Sequence, residues 1–238
     1  MTWDDGASPP GPRRCGQLSP AERRRLARSF GPVAETYERV RPDYPAEAVA
    51  WTCGDARRVV DVGAGTGKMT RALLATGCAV TAVEPDPLMR ERFTVALPGT
   101  RVLPGTGEHL PLADRSVDAV VFAQSWHWTD PVVASVEAGR VLVDDGVLGL
   151  VWNTRDQSVA WVGEMNEVWG VTNGEAITRL SEPPFGAPFS RSVHRTWSWT
   201  QEMTVEEVVA LAGSRSTVST LPPRVREERL ADLQDLLT

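Results

Sequence analysis

The stretch Val59-Val60-Asp61-Val62-Gly63-Ala64-Gly65-Thr66-Gly67-Lys68 limits what this chain can fold into more than any other. A strand-length apolar run enters three alternating glycines, and a helical pattern follows. Glycine lets a backbone turn tightly and approach a ligand closely, because no Cβ intrudes. A helix opening there adds free N–H groups and the positive end of its dipole. A second apolar run, Ala79-Val80-Thr81-Ala82-Val83, ends on Glu84, about twenty residues downstream. A carboxylate at that place can accept hydrogen bonds from both hydroxyls of a ribose. Strand, glycine turn, helix and acidic strand end together predict a doubly wound α/β fold holding a nucleotide-type ligand.

Spacing separates two ligand classes. The dinucleotide fingerprint G-x-G-x-x-G would put its third glycine at position 68, where Lys68 stands. Here the third glycine is Gly67, and Asp61 precedes the first by two. The order D-x-G-x-G-x-G, with a second strand ending in Glu84-Pro85-Asp86, resembles the class I S-adenosylmethionine-dependent methyltransferases. A nicotinamide dehydrogenase fits least well.

The resemblance extends along the chain. Arg28-Ser29-Phe30-Gly31 and Tyr37-Glu38-Arg39-Val40-Arg41-Pro42-Asp43-Tyr44-Pro45 look like the leader of a bacterial methyltransferase group. That group is similar to the trans-aconitate and ubiquinone-biosynthesis type enzymes. Gly105-Thr106-Gly107-Glu108-His109-Leu110-Pro111 and Ala123-Gln124-Ser125-Trp126-His127-Trp128 match its later motifs. The resemblance implies S-adenosylmethionine as cofactor and a set of residues to hold it. Asp61, Gly63, Ala64, Gly65 and Gly67 would cradle the methionyl part, and Glu84 the ribose diol. Pro85 and Met89 would flank the adenine, Thr106, Gly107 and Glu108 would read its edge, and Gln124 would join them. Relatives usually close the sheet with an antiparallel last strand, whereas Leu236-Leu237-Thr238 still reads as helix.

The strand–helix alternation from Arg58 predicts a mostly parallel sheet with helices on both faces. Strands are expected at Val59–Val62, Ala79–Val83, Arg101–Leu103, Ala119–Ala123 and Val147–Trp152, with Ser192–Thr200 alternating like another. Helices are expected at about Lys68–Thr76, Pro87–Ala96, Pro131–Leu142, Val159–Trp169 and Arg224–Leu237. Residues 1–18 read as a disordered leader, 19–57 as a helical cap and 58–155 as the cofactor-binding core. Residues 156–238 read as the rest of the core and an acceptor-site cap. With no closing strand, a sheet edge is left over; a homodimer or the C-terminal helix would bury it.

Methyl transfer from a sulfonium is an in-line displacement in which the protein mainly aligns the partners and excludes water. A hydroxyl acceptor benefits from a general base; a carboxylate needs none. His127, one of three histidines, sits just past the fourth strand and is the candidate base. Nine tryptophans are many for 238 residues. Trp126, Trp128 and Trp152 fall at strand ends on the ligand side, and with Tyr37 they are candidate acceptor-binding residues. Trp161, Trp169, Trp197 and Trp199 are expected to pack the core or cap.

A net charge of −6 argues against a general nucleic-acid binder. The apolar runs are too short to span a membrane. Three scattered cysteines, Cys15, Cys53 and Cys78, show neither disulfide nor metal-ligand spacing, which suits a reducing cytoplasm. The expected activity is therefore S-adenosylmethionine-dependent O-methylation of a carboxylate or hydroxyl on a small molecule. A cyclase or decarboxylase on the same scaffold, or a non-enzymatic donor-binding regulator, are the alternatives.

Overall fold

The computed structural model describes residues 39–169 and 185–238. Tyr37, the expected leader 1–18 and residues 19–38 of the expected helical cap lie outside them. Five strands form one sheet: β1 Arg58–Val62, β2 Ala79–Val83, β3 Arg101–Leu103, β4 Val117–Ala123 and β5 Leu142–Val151. Their order is β3-β2-β1-β4-β5, with every neighbouring pair parallel. Strand order reverses between β1 and β4, which makes the carboxyl end of β1 the place for a ligand. Val59, Val60 and Val62 are buried, as expected for a strand covered on both faces.

Helices α1 Ala46–Cys53, α2 Lys68–Ala75, α3 Pro87–Ala96 and α4 Pro131–Val141 accompany the strands. The starts of α3 and α4 are written in the sequence. Asp86 accepts from the N–H groups of Leu88 and Met89, and Asp130 from those of Val132 and Val133, each followed by proline at the first turn. On one face, α4 packs over Val60, Val120, Phe122 and Trp126; on the other, α1 and α2 pack over Val59, Ala119 and Val121.

The remaining helices are α5 Ala160–Trp169, α6 Val205–Gly213, α7 Ser216–Ser219 and α8 Pro223–Leu237. They share a separate apolar cluster in which Leu233 of α8 meets Val162, Met165, Leu211, Ala212, Val218 and Val40. Three expectations need correction. Residues 190–200 form no strand; their side chains are mostly exposed, so alternation there has no sheet to serve. Helix α8 packs on α5 and α6 rather than across β5, because its apolar face finds those helices first. Trp161 and Trp199 are exposed rather than packed inside, while Trp197 stacks edge-on against Trp51. Among the described residues no helix is long and apolar enough to cross a membrane, and no group of His, Cys, Asp or Glu is arranged to hold a metal ion.

Candidate functional site

The chain leaves β1 at Val62 and turns through Gly63, Gly65 and Gly67, all at positive φ. The N–H groups of Gly63 and Ala64 donate to the carbonyl of Val83 at 2.8 and 3.2 Å, which ties the turn to the end of β2. A Cβ on Gly65 would meet no protein atom within 4 Å, so the turn leaves open space there. A Cβ on Gly67 would strike Leu97 and Phe93, so that glycine serves the packing of α3.

The turn forms one wall of a cavity. Asp61, Gly63, Ala64, Thr66, Lys68 and Met69 form one side. Ala123 and Gln124 at the end of β4, Asn153 after β5, Arg41, Pro42 and Tyr44 before α1, and Arg215 before α7 complete it. The segment before α1 is pinned at several points. Arg41 donates to Ser214 Oγ at 3.2 Å and to its carbonyl at 3.0 Å, Lys68 pairs with Asp43 at 2.9 Å, and Asn153 donates to the Asp43 carbonyl at 3.0 Å. Gln124, at φ 58, is held by its own amide donating to the Asn153 carbonyl.

Two buried carboxylates flank the glycine turn: Asp61 lines the cavity, and Glu84 stands behind Gly65 without lining it. Asp61 is buried, and Thr70 Oγ1 donates to its Oδ2 at 2.6 Å. Its Oδ1 and the hydroxyl of Thr66 are buried without a hydrogen-bond partner among the described residues. Burial pushes the Asp61 carboxyl up to about 6, against the Thr70 hydrogen bonds that favour its charge. A buried acceptor left unmet is costly, and an ammonium group in the cavity would meet it. Glu84 is buried at the tip of β2, with Oε2 accepting from Gly65 N–H and Oε1 from Asp86 N–H, both at 2.8 Å. Each oxygen retains a lone pair for a further donor such as a ribose hydroxyl. Burial, reinforced by the charges of Asp86 and Asp61, pushes Glu84 up to about 7.

The other expected site residues lie elsewhere. Trp126 is packed in the core, edge-on to Phe122 at 4.8 Å, and does not line the cavity. Glu108 accepts from Asp130 N–H at 2.8 Å and so braces the start of α4. Thr106 and His109 exchange backbone hydrogen bonds, and a Cβ on Gly107 would strike Thr129 and Phe122. Pro85 and Met89 follow Glu84 at the start of α3, with Met89 buried, and neither lines the cavity. His127, Trp128 and Trp152 form a group of their own: Trp152 Nε1 donates to His127 Nδ1 at 3.4 Å, and the His127 and Trp128 rings lie 4.4 Å apart. Burial, with help from the charge of Arg41, pushes His127 down to about 3. With Nδ1 accepting, the neutral ring carries its proton on Nε2.

A family model described as a methyltransferase domain matches residues 60–150. An uncharacterised methyltransferase of Mycobacterium tuberculosis is 44% identical over 216 residues, covering 90% of this chain and 88% of its own length. An uncharacterised methyltransferase-like protein of Schizosaccharomyces pombe is 31% identical over 219 residues, covering 88% and 86%. A solved structure assigned as a type II methyltransferase from Anaeromyxobacter dehalogenans superposes with a TM-score of 0.59 at 23% identity, over 83% of this chain and 88% of that one. That last likeness bears on the fold alone. The chain belongs to the class I S-adenosylmethionine-dependent methyltransferases, and its cofactor is S-adenosylmethionine.

The site fits that cofactor. The orphaned Asp61 Oδ1 suits the amino group, the free lone pairs of Glu84 suit the ribose diol, and the open space at Gly65 admits the ligand. Several lining residues had no assigned role in the sequence: Arg41, Thr66, Lys68, Met69, Asn153 and Arg215. Arg41 stands inside the Arg-Pro-Asp-Tyr motif and was legible there; Arg215 had no local signal. Thr70 also went unassigned, yet it leaves Asp61 with one oxygen aimed at the ligand. Thr70→Val should weaken S-adenosylhomocysteine binding by roughly 10- to 150-fold, the worth of a hydrogen bond to a charged group. Thr70→Ser should restore it in calorimetry; equal affinity in all three proteins would remove Thr70 from this role.

Proposed function

We propose that the protein methylates a carboxylate oxygen of a small-molecule acceptor, within the trans-aconitate and ubiquinone-biosynthesis type group that its motifs resemble. The observation that carries this reading is that Arg41 and Arg215, 174 positions apart, line the same cavity as the glycine turn. A cationic donor beside two guanidinium groups disfavours a cationic acceptor and draws an anionic one. S-adenosylmethionine supplies an electrophilic methyl group on a sulfonium.

The chain's own residues then do the binding and alignment. Asp61 and Glu84 hold the cofactor at its two polar ends, and Arg41 and Arg215 orient the acceptor carboxylate. The segment Arg41–Tyr44, pinned to Lys68, Asn153 and Ser214, keeps water out. A carboxylate attacks without giving up a proton, so no general base is required. That agrees with His127, which a value near 3 makes a poor base for a hydroxyl. We assign His127 the part of a hydrogen-bond donor through Nε2, with Trp128 and Trp152 setting its ring. Residues 58–155 supply the cofactor core, and residues 156–238 cap the acceptor side. Free Cys53 and Cys78 support a cytoplasmic setting, and the position of β5 at one end of the sheet, with no strand paired to its outer side among the described residues, supports a homodimer.

A labelled-donor screen of small carboxylic acids against matched alcohols and amines tests the reading, scored by methyl ester formation. With a carboxylate acceptor, His127→Ala should keep turnover within about tenfold of wild type, whereas loss of a base costs roughly 10²-fold or more. Transfer only to alcohols, with a turnover collapse in His127→Ala, would replace the proposal by base-assisted transfer to a hydroxyl.

A further inference from the structure

Two thiols lie at the opposite end of the strands from the glycine turn and take no part in methyl transfer. Cys53 ends α1, and Cys78 immediately precedes β2. Both are buried in the same apolar cluster, and both line a second cavity with Gly54, Ala56 and Thr76. Cys78 Sγ donates to the Ala56 carbonyl at 3.1 Å and lies 3.1 Å from the Thr76 hydroxyl. Cys53 Sγ donates to the Ala50 carbonyl at 3.7 Å, and its thiol feels the charge of Cys78 beside it. A backbone bond from Ala56 N–H to the Cys53 carbonyl (3.1 Å) turns the chain after α1, and one from Ala79 N–H to the Arg57 carbonyl (2.7 Å) joins the two segments.

We propose that Cys53 and Cys78 are a modification site, oxidised by a hydroperoxide to an intramolecular disulfide. The thiolate of Cys78, the less deeply buried of the two residues, attacks a peroxide oxygen; the O–O bond breaks, leaving Cys78 sulfenic acid and hydroxide. The Cys53 thiolate then attacks the Cys78 sulfur, the S–O bond breaks, and hydroxide leaves, becoming water with the proton that the Cys53 thiol gave up. For hydrogen peroxide, two thiols supply two electrons and two protons, and the oxidant becomes two waters. Burial and the neighbouring Cys78 push the Cys53 thiol up, so the second step should quicken as pH rises. The bond would fasten the end of α1 to the sheet. The other end of α1 follows the Arg41–Tyr44 segment that walls the cofactor cavity.

The test uses the full chain with Cys15→Ser, which leaves two thiols, exposed to hydrogen peroxide under native conditions. The expected result is joint loss of both thiols, a mass lower by two hydrogens and a cross-linked peptide containing Cys53 and Cys78. Tm should rise by roughly 5–10 °C, from closing the intervening loop, and fall back on reduction by dithiothreitol. In the further variant Cys53→Ser, Cys78 should accumulate as a sulfenic acid trapped by dimedone. Two thiols that stay titratable, oxygen added to one sulfur without a cross-link, or a bond between two chains would each overturn the proposal.

Discussion

Gly65→Val should give a folded protein that no longer binds its cofactor. Gly65 sits at φ 57, where an L side chain is strained by about 1–2 kcal/mol, so Tm should fall by roughly 2–8 °C. The protein itself does not resist the new side chain, since a Cβ there touches nothing within 4 Å. What the side chain occupies is the space beside the Glu84 carboxylate that accepts from Gly65 N–H. S-adenosylhomocysteine affinity should therefore drop at least about 10²-fold, the loss of a close backbone approach together with the hydrogen bonds around it. Gly63→Val is the contrasting variant. Its Cβ would fall 2.5 Å from Ser125 Cβ, where Ser125 also donates to the Val62 carbonyl, so folding itself should suffer. A folded Gly65→Val protein binding S-adenosylhomocysteine within threefold of wild type in calorimetry would remove the glycine turn from the cofactor site.

Much of the core was legible because its signals are local. The glycine turn, the acid at the end of β2 and the Asp-Pro pairs that open α3 and α4 each act within a few residues, through φ, a dipole or a cap. Boundaries were less legible where pairing partners set them. β4 starts at Val117, two residues earlier than its alternation suggested, because Val117 pairs with Leu142. β5 starts there too, directly off α4, with an irregularity between Val117 and Ala119. The acceptor side was hardest to read. Trp126, His127 and Trp128 are consecutive and share one 3₁₀ turn, yet the first packs on Phe122 in the core while His127 meets Trp152 and Trp128. Glu108 was legible as a candidate ligand reader from its motif, whereas its hold on the Asp130 N–H, 22 positions on, was not. Arg41 meets Ser214 across 173 positions, a contact that no window of sequence contains. The cavity wall is made of such contacts, whereas the cofactor turn is made of near neighbours.

Glu84 should make both binding and stability depend on pH, in opposite directions. Its folded value, about 7, is raised from an ordinary 4.5. The contribution of such a group to stability is fully present below the unfolded value and is lost as pH rises through the folded one. Between pH 4.5 and 8 the ligand-free wild type should lose about 3 kcal/mol relative to Glu84→Gln, which does not titrate. The comparison with the variant matters because Asp61, raised to about 6, acts in the same direction. His127, lowered to about 3, acts oppositely, costing stability as pH falls below its ordinary 6.5. Binding has the reverse sign, since a ribose diol donates its hydrogens to the ionised carboxylate. 5′-Methylthioadenosine carries the diol without the amino acid, so its affinity reports Glu84 apart from Asp61. That affinity should rise roughly 30-fold from pH 5.5 to 8 and level off above 7. Glu84→Ala should weaken it by about 1.5–3 kcal/mol at pH 8, the range for hydrogen bonds to a charged group, and remove the slope. Calorimetry across that pH range reads both quantities. A wild-type affinity that does not change with pH, or an unchanged affinity in Glu84→Ala, would take Glu84 out of ribose binding and leave its buried charge as a brace for the glycine turn alone.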